Sequence, residues 1–232
     1  MMLNHDPKTT NALVFNHLPT PEQMTYYDLR NATFDQFVQY VFDDAHADLK
    51  EGGDYASVDF DSSEFAKLYT KLFSHPTFLL DRFNLKQLES GFWEIQSCNL
   101  PGNASEIIFD SQVPFELRQL CIESMYSLYE KLFAIPSLPK VCDMWWDGIA
   151  YGYCCGNYSR ENQDQRQIQD VMFSTLCRIL ALSSEACQYA ALHGLGHLRH
   201  PDTKKVIEEF LKAHKSFEGK DYARACIAGN IM

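Results

Sequence analysis

The sequence predicts an all-α protein, a right-handed stack of antiparallel helical hairpins in a single domain spanning residues 1–232. Three observations predict it. Apolar residues recur at helical spacing through most of the chain. No stretch of four or more residues alternates as a strand would. Near the C-terminus a pattern returns after 34 residues, with Ala191 matching Ala225, Gly194 matching Ala228 and Leu198 matching Met232, a period suited to paired helices.

Residues 1–32 carry Pro19 and Pro21 and little periodicity, so an irregular lead-in is expected. A helix then starts at Thr33, whose partner three residues on is Gln36, a capping-box spacing. Phe34, Phe37, Val38, Val41, Phe42, Ala45 and Leu49 form its apolar stripe. The linker EGGDYASVDFDS follows, and Ser62 or Ser63 caps the next helix. Asn84 with Gln87 opens another. Pro114 suits the first turn of the helix beginning PFELRQLC. Pro136 and Pro139 end that helix and begin KVCDMWWDGIAYG. The long amphipathic run QDQRQIQDVMFSTLCRILAL comes next, and Ser183 or Ser184 caps the segment that contains ALHGLGHLRHP.

That last segment has two faces. With His193 at zero on a helical wheel, His197 falls near about 40° and His200 near about −20°. Cys187, Ala191, Gly194, Leu195 and Leu198 cluster about 140° away, as an apolar face rich in small residues. The small residues are expected to take a close neighbour. The histidines are expected to point outward as a partner-contacting stripe. Metal binding by His193, His197 and His200 is the alternative. Against it, Gly194 stands where a metalloprotease motif has Glu, and no Asp or Glu lies between 186 and 201 to orient the rings. No metal, cofactor or catalytic residue is therefore assigned.

YAALHGLGHLRHPDTKKVIEEFL resembles a HEAT-like repeat over residues 184–232, through Ala191, Gly194, Leu195, Gly196, Pro201 and the Val206–Leu211 stripe. The resemblance implies a HEAT-like C-terminal end, with ridged helical surfaces suited to protein binding. The shorter string ALHGLGHL is similar to bacterial proteins thought to neutralise toxins encoded beside them, which implies an immunity protein.

The charge fits that implication. The net charge of −11 argues against a general nucleic-acid or anionic-membrane surface. Residues 35–64 hold nine acids against one Lys. Asp43, Asp44, Asp48, Glu51, Asp54, Asp59 and Asp61 are thus expected, with the histidine stripe, to meet a basic toxin domain. The opening residues show no signal peptide, and no apolar run is long enough to span a membrane, so the cytoplasm is expected. The eight cysteines form no CxxC pair and read as reduced, mostly buried thiols. Cys154 and Cys155 are expected to lie in a loop without a catalytic role, and the aromatics of DMWWDGIAYGY in the core or at an interface. The expected function is binding without catalysis. A metal-dependent hydrolase using His193, His197 and His200 is the alternative.

Overall fold

A computed structural model describes residues 25–42, 56–97, 100–135 and 139–231. Helix dominates these residues, so the all-α expectation holds at the level of class. One departure is a small sheet. Thr25–Asp28 (β1) and Ala56–Asp59 (β2) pair in parallel, with Thr25 opposite Ala56 and Asp28 opposite Asp59. The sequence placed these stretches in the lead-in and the linker. Four residues are too few for alternation to stand out, and the parallel partner is remote in sequence.

Helix starts follow side-chain chemistry. Phe34–Phe42 (α1) begins with the expected reciprocal pair: Thr33 N–H donates to Gln36 Oε1 at 2.9 Å, and Gln36 N–H donates to Thr33 Oγ1 at 3.3 Å. Ser62–Ser74 (α2) is capped by Asp61 rather than by either serine, its carboxylate accepting from Glu64 N–H at 2.9 Å. A short helix, Leu79–Arg82 (α3), leads into Leu85–Gln96 (α4), which Asn84 and Gln87 cap as expected. Ala104–Phe109 (α5) and Phe115–Leu128 (α6) follow, the second starting after Pro114.

The predicted helix KVCDMWWDGIAYG is two helices, Pro139–Met144 (α7) and Asp147–Cys154 (α8). Trp145 and Trp146 form the turn between them, and both rings are fully buried. Trp145 packs edge-on against Phe73 and Phe133, each at 5.5 Å between centroids. Gln163–Leu180 (α9), Glu185–Leu198 (α10), Thr203–Ala213 (α11) and Lys220–Ala228 (α12) complete the chain, with Ser184 capping α10.

Residues 190–198 of α10 are all buried, which makes it the central helix of this end of the molecule. It packs against α7, α8, α9 and α12. Its glycines permit the close approaches expected of them. A Cβ on Gly194 would sit 2.7 Å from both Trp146 Cγ and Leu176 Cδ2, and one on Gly196 would meet the backbone of Cys226 at 3.2 Å. Of the residues matched by the 34-residue shift, Ala225 and Ala228 lie on α12, which ends at Gly229 with φ 68°. Met232 lies outside the described residues. No helix among the described residues is long and apolar enough to cross a membrane.

Candidate metal centre

The turn at Trp145–Trp146 makes Asp147 the first residue of α8, a helix packed against α10. His193 and His197 stand one turn apart on α10, so their rings project to the same side. Three donor atoms meet there. Asp147 Oδ1 lies 2.5 Å from His193 Nε2 and 3.3 Å from His197 Nε2, and the two Nε2 atoms are 3.0 Å apart. The imidazoles are buried, whereas the Asp147 side chain keeps 27% of its surface exposed. The cluster therefore reaches solvent on its carboxylate side.

Protons alone satisfy this arrangement poorly. If His193 Nε2–H donates to Asp147, His197 Nε2 turns a lone pair or a second N–H toward the same crowded point. His197 Nδ1 is buried and has no hydrogen-bond partner among the described residues, so Nε2 is the nitrogen through which this ring meets the cluster. A cation at the centre would accept three lone pairs at once. A tetrahedral zinc with Zn–N of about 2.0 Å separates its donors by about 3.3 Å, close to two of the three spacings here.

The surroundings suit such an ion. His193 Nδ1 lies 2.5 Å from the hydroxyl of Tyr222 on α12. With Nε2 on a metal, Nδ1 carries the proton and donates it to the phenol oxygen, which fixes the ring's orientation. Burial pushes the Tyr222 hydroxyl well above its ordinary pKa, so it stays neutral. Burial also pushes the Asp147 carboxyl up, but hydrogen bonds and charges from His193 and His197 outweigh this and hold it at about 2. Tyr151, one turn further along α8 and 51% exposed, sets its ring edge-on to His197 at 5.2 Å between centroids.

The expected outward histidine stripe is therefore corrected. His193, His197 and His200 are all buried, so none of them offers an exposed contact. The wheel found one packing face correctly, but α8 and α12 cover the other. Nor does His200 join the first two. Helix α10 ends at Leu198, and Arg199 takes a left-handed conformation with φ 51°, which sends His200 off the helical path. His200 Nε2 instead donates to Asp170 at 3.0 Å, its Nδ1 accepts from Asp202 N–H at 3.1 Å, and its ring stacks on Phe173 at 3.9 Å.

Of the predicted acidic contacts, Asp61 is a helix cap and Asp59 ends β2, 3.9 Å from Arg30. Asp43, Asp44, Asp48, Glu51 and Asp54 lie outside the described residues. The residue the sequence reading missed is Asp147. It looked for an acid beside the histidines, and the acid comes from 46 residues upstream. The aromatic motif around it was read for its rings alone. Those rings divide as core and surface, with Trp145, Trp146 and Tyr153 buried and Tyr151 exposed. Cys155 is exposed beyond the end of α8, Cys154 is its last residue, and Cys121, Cys142, Cys187 and Cys226 are buried free thiols.

Compared with protein-family models, curated proteins and solved structures, the chain matches none, so the site is read from its own chemistry.

Proposed function

We propose that the protein is a metalloprotein in which Asp147, His193 and His197 hold one divalent transition-metal ion, zinc being the best fit to two imidazoles and a carboxylate. The observation that carries this is the meeting of three donor atoms within 3.3 Å of one another, two of them from buried imidazoles. This takes up the metal-dependent alternative with a changed ligand set, Asp147 replacing His200. Equilibrium dialysis of metal-stripped protein against zinc tests it. One ion per chain is expected in the wild type, with uptake lost in Asp147→Ala and in His193→Ala. No uptake, or equal uptake by the variants, overturns it.

A second reading, partner binding of the immunity kind on HEAT-like helical hairpins, is favoured by the nine acids against one Lys in residues 35–64. It concerns a different part of the chain and is compatible with a metal centre. Charge reversal at Asp43, Asp44 and Asp48 should weaken capture of a basic toxin domain, most strongly at low salt. Unchanged affinity would leave the acids a solubilising role only.

A further inference from the structure

Building on the metal reading above, we propose that the ion keeps one corner of its coordination sphere for an exogenous ligand: water, hydroxide, or the oxygen of a small carbonyl or oxyanion compound. The centre is then of the reactive kind and not a clamp between helices. Three observations point the same way.

The first is the donor count. Among the described residues, Asp147, His193 and His197 are the only group of three or more His, Cys, Asp and Glu donors close enough together to share an ion, and no fourth donor joins them. Structural zinc sites close their shell with four protein ligands. Three protein ligands leave a place for water or substrate. Tyr222 does not fill that place, because its hydroxyl meets His193 at Nδ1, the nitrogen on the far side of the ring from the donor atom.

The second is access. The two imidazoles are sealed at 6% and 2% exposure, while Asp147 remains 27% exposed. An exogenous ligand would therefore approach from the Asp147 side. The third is the flank of the opening. Tyr151 stands one helical turn beyond Asp147, half exposed and set against His197, as an aromatic edge beside the site. An apolar ring beside one polar entry is a common feature of small-ligand sites. Held by Asp147, His193 and His197, a divalent ion would supply hydroxide near neutral pH or polarise a bound carbonyl or phosphoryl oxygen. The ligand class follows: small oxygen-donor compounds that coordinate through a single head group, with Tyr151 covering the rest.

Cobalt substitution of the full-length protein separates this proposal from the metal reading itself. Cobalt(II) should give visible absorption bands that saturate at one equivalent and are lost in Asp147→Ala. Adding acetohydroxamate, a small oxygen-donor chelator, should then shift the bands and change their intensity saturably. If the bands form but acetohydroxamate leaves them unchanged, the shell is closed; the exogenous-ligand proposal falls and the metal reading stands. If no bands form, or if Asp147→Ala gives the same bands, the metal reading falls and takes this proposal with it.

Discussion

Asp147 Oδ1 sits 2.5 Å from His193 Nε2, joining the first residue of α8 to the middle of the buried helix α10 across 46 positions of sequence. Around that contact the molecule has placed a second imidazole, a neutral phenol behind the first ring, and a glycine that brings the two elements together. The phenol and the glycine each carry a prediction.

Tyr222→Phe removes the oxygen that receives His193 Nδ1–H. The ring loses its orienting partner and keeps a buried N–H without an acceptor. Zinc affinity should fall by about tenfold to a hundredfold, the usual effect of removing such a partner. Competition with a coloured chelator measures it. Equal affinities for wild type and variant would show that Tyr222 does not orient the ligand.

Gly194→Ala puts a Cβ into Trp146 and Leu176, each 2.7 Å away. Neither neighbour is a mobile surface chain, so α10 must shift against the Trp145–Trp146 turn. Overpacking of this kind costs about 1–3 kcal/mol. Urea unfolding reads the cost. Because Asp147 directly follows Trp146, zinc affinity should drop as well. A variant as stable as the wild type would mean that the helices have slack at this point.

Asp164→Ala strips the carboxylate from Arg118, whose side chain is 3% exposed and whose guanidinium donates two bonds to Asp164 at 2.5 and 2.9 Å. The carbonyls of Val113 and Ile108 still accept from Arg118, at 3.0 and 3.3 Å, and Asp164 itself is about one-third exposed. The loss should therefore be about 2 kcal/mol, below that for a fully buried pair. Chemical denaturation of the variant gives the value, and a change under a few tenths of that figure would refute the assignment.

His200 predicts a pH dependence. Burial lowers its pKa below the ordinary 6.5. The Asp170 hydrogen bond opposes this, as do the charges of Asp170 and Asp202, while Arg160 adds to the lowering. A base with a depressed pKa in the fold stabilises the protein fully above its unfolded value and loses that contribution as pH falls through the folded one. The melting temperature should drop between about pH 7.5 and pH 5, and His200→Gln should flatten part of that drop. Identical slopes for the two proteins would exclude His200 as a source.

What could be read from the sequence was local. The Thr33–Gln36 and Asn84–Gln87 pairs signalled their helices because the cap and its partner lie three residues apart. At Asp61 the same logic missed by one residue, since an aspartate just upstream supplied the cap ahead of two serines. The wheel for residues 187–200 assumed one continuous helix and one covered face. It failed where Arg199 turned left-handed, and where α8 and α12 covered the histidines. Pairing of β1 with β2, and of Asp147 with His193, depends on segments distant in sequence. No periodicity within either segment announces such a meeting.

The ligand set itself is tested most directly by X-ray absorption at the zinc edge of the one-to-one zinc-loaded protein. The account predicts a first shell of nitrogen and oxygen near about 2.0 Å, with the outer-shell scattering of two imidazoles and no sulfur. Sulfur near about 2.3 Å would place the metal on one or more of the eight cysteines, and scattering from fewer than two imidazoles would remove His193 or His197 from the site; either result contradicts it.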